Sequence, residues 1–302
     1  MKNSYKLDTV LSAEAKESLK HLEMHARSAV QGLLHGIHGS KRIGTSTDFD
    51  HHKIYMPGDP IKHIDWKMSA RSENMFIKRY TEDTALSVRI VLDRSASMSR
   101  QSEDLPTKYF RASQLAACLA YLTLNQKDSV GMVMASSDDT LWLPVSSTQS
   151  SLVRILEALV GKPPSDEDAL VSCLKAILDR GEKRGLIAVV SDLMFDPKPV
   201  MKALSRLGAQ GHEILIFQVK DPDEEEFPYN RWVDFQDLES GKNQRIDTVP
   251  LKRLYREEYK ALMDEWQSFV KKNNAHIIDF KTDQATETVL SEYMIQRSMG
   301  DA

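Results

Sequence analysis

Three polar side chains alternate where an apolar run ends. In "VRIVLDRSASMSR", residues 88–100, Asp93, Ser95 and Ser97 follow a strand-like stretch at intervals of two. In an extended chain that spacing turns alternate side chains to one side, so a carboxylate and two neutral hydroxyls converge as the strand opens into a loop. Donors that are all oxygen suit a hard cation that prefers octahedral geometry, magnesium or manganese, and suit zinc poorly. A second apolar run, "GLIAVVSD", ends on Asp192, and "GKPPSDEDAL" places the hydroxyl of Ser165 just before a helix. A plainer role stands beside this one. Such side chains often bond nearby backbone amides, which would leave Ser95 and Ser97 as loop caps.

The elements that must position these groups alternate from Val88 onward. "SVRIVLD", "DSVGMVMAS", "TLWLPV", "GLIAVVSD", "HEILIFQVKD" and "HIIDF" read as strands. The helices between and after them are "TKYFRASQLAACLAYLTLN", "SSLVRILEAL", "ALVSCLKAILDR", residues 200–207 and "LKRLYREEYKALMDEWQSFVKKN". Strands this apolar, separated by helices, predict a mostly parallel sheet covered on both faces: a doubly wound, Rossmann-type α/β domain. Ligands of such sheets bind outside the carboxyl ends of the strands, where Asp93 and Asp192 fall.

Two stretches break the alternation. Residues 1–85 are predicted to form an N-terminal helix and a small β-rich unit, with "FIKRYTED" as its clearest strand and Trp66 as a burial residue. Residues 86–290 form the α/β domain, with a β-hairpin inserted near 228–248, and 291–302 form a tail.

Bulk properties narrow the function classes. A net charge of -4 gives no electrostatic footprint for nucleic acid. The amino terminus lacks an apolar core of leader length, and no run reaches the roughly 18 apolar residues of a membrane helix, so no membrane insertion is expected. Cys118 and Cys173 lie in apolar helical patterns without metal or redox spacing and read as reduced core thiols, which suits the cytoplasm.

The D-x-S-x-S of Asp93, Ser95 and Ser97, with a later loop hydroxyl and a later strand-end Asp, resembles the metal-ion-dependent adhesion site of von Willebrand factor A domains. Upstream, "YMPGDPIKHIDWKMSARSENMFIKRYTED" resembles the signature of the bacterial family called domain of unknown function 58. In that family a similar Gly-Asp, Ile-x-Trp-Lys and Ala-Arg pattern precedes an A-type domain, and "DLESGK" is similar to its later segment. The resemblance spans roughly Gly36 to Phe280. It implies a von Willebrand factor A-like fold with Ser95 and Ser97 as direct ligands of Mg2+ or Mn2+, and Asp93 and Asp192 acting mostly through bound water. The third loop usually offers Thr; here Ser165 takes that place, with Thr148 the weaker substitute. The resemblance further implies a non-enzymatic interaction module, an adaptor between a MoxR-type AAA+ ATPase and a client protein whose Asp or Glu completes the metal's shell.

Two alternatives use the same residues. A metal-dependent phosphoester hydrolase would take positive charge from Arg94 or Arg100, but no base is evident. A metal-free structural scaffold would need no ion. His35, His38, His51, His52 and His63 lack zinc-site spacing. The acidic run "DPDEEEF" from Asp221 reads as a solvated loop on the same sheet edge as Asp93, or as a charged rim that steers a basic partner. No phosphate-binding G-x-x-x-x-G-K-[ST] and no G-x-S-x-G occurs.

Overall fold

Val88 to Leu92 offer water no polar face, so a strand built from them must be covered on both sides. The computed structural model describes residues 13–38, 49–56, 64–72, 74–80, 86–102, 104–134, 140–161, 170–229, 231–236, 243–273 and 275–300. They divide into two units, residues 35–85 and the remainder of the chain.

The larger unit is built on a six-stranded sheet. Its strands are β3 (Ser87–Leu92), β4 (Ser129–Met134), β5 (Leu141–Ser146), β6 (Leu186–Ser191), β7 (Glu213–Lys220) and β10 (Ala275–Lys281), in the spatial order β5-β4-β3-β6-β7-β10. Only the edge pair β4–β5 is antiparallel. Counted within the unit, the order is the Rossmann 3-2-1-4-5-6, whose direction of winding reverses between β3 and β6.

Both faces are covered, as the continuous apolar runs require. On one side, Val91, Val133, Val189 and Ile216 pack against α5 (Leu170–Arg180), α6 (Pro197–Ala209) and α8 (Thr248–Asn273), with Trp266 and Phe269 closing the layer. On the other lie α3 (Lys108–Asn125), α4 (Gln149–Gly161) and α9 (Thr286–Gly300), where Phe217 meets Tyr293 edge-on at 6.1 Å. Alanines 112, 116, 117 and 120 are fully buried on α3, and small side chains there let the helix approach closely. Cys118 and Cys173 are buried free thiols, and burial raises the pKa of both. Among the described residues no helix is long and apolar enough to cross a membrane.

Three elements differ from the sequence expectation. Helix α1 (Ala13–His38) groups through residue 34 with the large unit, because Leu22, Ala26, Ala29, Val30 and Leu33 form a buried stripe at helical spacing. The expected tail is largely helix: α9 runs to Gly300 and is anchored by buried Val289, Leu290 and Tyr293. The run from Asp221 folds into a short helix, α7 (Pro222–Glu226), capped by the fully buried Asp221. Between α7 and α8, β8 (Trp232–Gln236) and β9 (Asn243–Asp247) form an antiparallel hairpin.

In the small unit β1 (Phe49–Ile54) pairs antiparallel with β2 (Phe76–Tyr80). Asp65 caps the one-turn helix α2 (Trp66–Ser69) through the amides of Lys67 and Met68. Trp66 is 62% exposed and not the burial residue its type suggested, because its one-turn helix buries no side chain.

Candidate metal centre

Asp93 and Asp192 stand just past the ends of β3 and β6, the adjacent strands that flank the reversal of winding. A crevice opens there because successive connections leave the sheet toward opposite faces. Two bonds tie the strand ends together. The Asp93 amide donates to the Val190 carbonyl at 2.9 Å, and the Ser191 hydroxyl donates to Asp93 Oδ2 at 2.5 Å. Ser191 Oγ also accepts the Leu193 amide at 3.0 Å. Leu193 is held at φ 61°, a left-handed conformation that costs a non-glycine residue roughly 1–3 kcal/mol. Its fully buried side chain holds it there.

Ser95 precedes a single 3₁₀ turn, Ala96–Ser99, which is anchored by the buried Met98. Asp93 Oδ1 accepts the Ser95 amide at 2.9 Å, so part of the plainer role is real: the carboxylate does organise backbone. The serines, however, do not cap. Ser95 makes no side-chain capping bond, and its hydroxyl lies 2.9 Å from that of Ser97. Neighbouring ligands of an octahedral ion with bonds of about 2.0–2.1 Å are separated by about 2.9 Å. The two hydroxyls are hydrogen-bonded to each other at a separation that also equals one edge of a magnesium shell, so the donor set fits that ion.

Asp192 is engaged elsewhere. Its Oδ1 accepts the Met194 amide at 3.1 Å, while Oδ2 accepts Lys108 Nζ at 2.6 Å. Lys108, the first residue of α3, is completely buried, and its ammonium also donates to Glu224 of α7 at 2.5 Å. Burial works to lower the lysine's pKa, but the two carboxylates outweigh it and raise it above the ordinary value. One ammonium is shared between two acids, and Arg100 Nε stands 3.8 Å from Glu224 as a second cation. Glu224 bears the consequence: burial raises its pKa, Lys108 opposes this, and the charge of Asp192 adds to the rise.

Lys108, Glu224 and Ser191 were missed in the sequence. Lys108 opens an amphipathic helix where a lysine reads as solvated, Glu224 lies within an acidic run, and Ser191 is the last residue of a buried strand. The expected solvated loop at Asp221 is corrected by its partners. Asp221 accepts from the Ser102 amide at 3.0 Å and from its hydroxyl, and Glu225 pairs with Lys281 at 2.6 Å.

Topology separates the two candidates for the third hydroxyl. Ser146 pairs with Val130 near the start of β4, so Thr148, two residues on, lies at the edge opposite Asp93, where it bonds the hydroxyls of Ser146 and Ser150. Helix α4 starts there and ends near the first turn of α3, where Tyr109 Oη donates to the Leu159 carbonyl at 3.3 Å. Helix α5 begins on Asp93's edge: burial first, then the charge of Asp93, push the Cys173 thiol up to about 12. Between these helices falls Ser165, which lies outside the described residues, as do the side chains of the five grouped histidines. Among the described residues no three His, Cys, Asp or Glu cluster as a metal site.

The strand order defines a doubly wound, mostly parallel α/β domain, and the hydroxyl–carboxylate cluster stands at its switch point. Its family follows from the sequence pattern. The chain belongs to the family described as "Protein of unknown function DUF58", which matches residues 51–268. An uncharacterized protein of Mycobacterium tuberculosis is 25% identical over 239 residues, 78% of this chain and 74% of that one. Among solved structures, the conserved hypothetical protein BatB from Bacteroides thetaiotaomicron matches with a TM-score of 0.46 at 18% identity, over 70% of this chain and 98% of that one. The SpRpn10 VWA domain matches with a TM-score of 0.40 at 9% identity, over 68% and 94%.

Proposed function

We propose that this protein is a non-enzymatic, divalent-metal-dependent interaction module of the cytoplasm, an adaptor that links a MoxR-type AAA+ ATPase to a client protein. The observation that carries the metal is the Ser95–Ser97 pair, spaced at 2.9 Å beside Asp93 at the switch point. Ser95 and Ser97 hold Mg2+ or Mn2+ directly, and Asp93 holds it through bound water. Ser165 supplies the third hydroxyl. Asp192 stays on Lys108 and acts from outside the shell. When bound, the ion supplies a Lewis-acidic position that accepts a carboxylate. Lys108 and Arg100 sharpen that demand: together they offset Asp192 and Glu224, so the protein neutralises little of the ion's charge and the partner's Asp or Glu must supply the rest.

The test is an affinity capture from native extract with wild-type and Asp93→Ala bait, each with magnesium or with chelator, read by mass spectrometry. An AAA+ ATPase and a further protein recovered only by wild-type bait with magnesium are the expected result. The same partners in all four lanes would overturn the metal-bridged adaptor. Asp93→Ala is expected to keep its circular dichroism spectrum, because Asp93 stands past the end of β3 and outside the strand ladder.

A further inference from the structure

Next to Ser97 lies a hollow of about 240 Å3 walled by Phe227, Tyr229, Phe235 and Tyr255, which come from the turn after α7, from β8 and from α8. The rings hold one another: Phe227 stacks on Tyr255 at 4.7 Å and Tyr229 meets Phe235 edge-on at 5.3 Å. Cofactor and small-molecule pockets run to roughly 300–1,000 Å3, so this one is the size of a single large side chain. Aromatic walls beside acids usually suggest a cation as guest, but that place is taken. Arg100 donates to the Tyr229 hydroxyl with its guanidinium 6.0 Å from that ring, and Glu224 already faces both Arg100 and Lys108. Arg100 Nε is buried and has no hydrogen-bond partner among the described residues. Aromatic rings, the Arg100 guanidinium with this Nε, the acids Asp223 and Glu224 and the candidate metal ligand Ser97 therefore line one hollow.

We infer that the hollow receives a large apolar side chain, phenylalanine above all, from a partner segment whose neighbouring Asp or Glu reaches the metal at Ser95 and Ser97. This rests on the metal-bridged function proposed above and adds the sequence character of the partner: an acidic residue with an aromatic one close by. The metal, together with the Arg100 Nε that lacks a hydrogen bond among the described residues, fits the acidic residue, the four rings fit the aromatic one, and Ser97 belongs to both sites. Buried aromatic anchors of this kind dominate the affinity of many interfaces.

The probes are blocked, fluorescently labelled hexapeptides with one Glu and a Phe one to four residues away, each matched to a peptide with Ala in place of Phe. Anisotropy titrations on the full chain in magnesium are expected to show, at one spacing, at least tenfold tighter binding of the Phe peptide. Met194→Trp, which fills the hollow from its rim, should erase that difference and leave the magnesium-dependent binding of the Ala peptide intact. Tyr255→Ala, which removes a wall, should erase it independently. Magnesium- and Asp93-dependent binding with no preference for Phe at any spacing would overturn the hollow's role and spare the metal. Phe-dependent binding unaffected by chelator and by Asp93→Ala would sink the metal bridge and, with it, the two-point recognition. Failure of every peptide to bind overturns the inference as well.

Discussion

The sheet carries a buried cation toward each end, and the two are used differently. Away from the Asp93 edge, Arg89 donates to Glu182 and, at 2.5 Å, to the Leu143 carbonyl, while its guanidinium lies 4.1 Å from the centroid of the Trp142 ring. Gly131 makes the room, since a Cβ there would stand 2.5 Å from Arg89 Nη1. One cation meets one carboxylate, the planar fork is matched, and Arg180 covers Trp142 at 3.9 Å. At the Asp93 edge, the compact ammonium of Lys108 is shared by two carboxylates, Arg100 reaches one of them at 3.8 Å, and the hydroxyls of Ser95 and Ser97 bond each other at the same strand end. Balanced and closed, the first is a structural joint. Shared among several groups and flanked by two hydroxyls, the second has donors to offer a ligand.

The largest effect expected is that of Lys108→Met, which strands Asp192 and Glu224 in the interior. Removing one partner of a buried pair costs about 3–5 kcal/mol, and here two acids lose their partner, so the upper end is expected in urea denaturation without divalent ions. Magnesium should recover part of that loss, because a second cation can then serve the site. Arg89→Met should cost about 3 kcal/mol, with no recovery in magnesium. Equal magnesium responses of the two variants would erase the distinction between the joint and the site.

Next in size is the response of the wild type to metal. A ligand that binds only the folded state stabilises it by RT ln(1 + [L]/Kd), about 1.4 kcal/mol at ten times Kd. Calorimetry should show Tm rising with magnesium and manganese, and Asp93→Ala or the double variant Ser95→Ala/Ser97→Ala should abolish the rise. A flat Tm in the wild type would favour the scaffold without metal.

How much of this was legible in the sequence depends on which forces leave a local trace. A strand covered on both faces must be apolar throughout, so β3, β6 and β7 could be read directly, and the period of two at Asp93, Ser95 and Ser97 survived as a pattern. Lys108 left no such trace: its burial depends on two acids 84 and 116 residues away. Glu224 was hidden by its neighbours, since a run of four acids averages to a solvated face even when one member is turned inward. Helix α9 was lost for a similar reason, because its anchoring side chains are few and its second half lacks a clear apolar stripe. The place of α1 was set by packing against distant parts of the chain, which no window of sequence contains.

The smallest effect gives the finest test of how Lys108 is shared, and its sign decides. If Glu224 shares an ammonium already committed to Asp192, its folded pKa lies above its unfolded value, as burial and the neighbouring charge require. Below the unfolded value both states are protonated, and Glu224 costs nothing. As pH rises, the unfolded chain releases its proton first, and stability is lost until pH passes the folded pKa. Glu224→Gln removes that titration. Its Tm should therefore match the wild type near pH 4.5 and exceed it at pH 7.5 by a few degrees, the shift that roughly 1 kcal/mol produces in a chain of this size. Glu182→Gln, which removes the single carboxylate of the balanced pair, should instead lower Tm at pH 7.5. A Glu224→Gln variant less stable than wild type at pH 7.5 would mean that Lys108 and Arg100 satisfy Glu224 as fully as Arg89 satisfies Glu182, and the contrast between the two buried cations would fall.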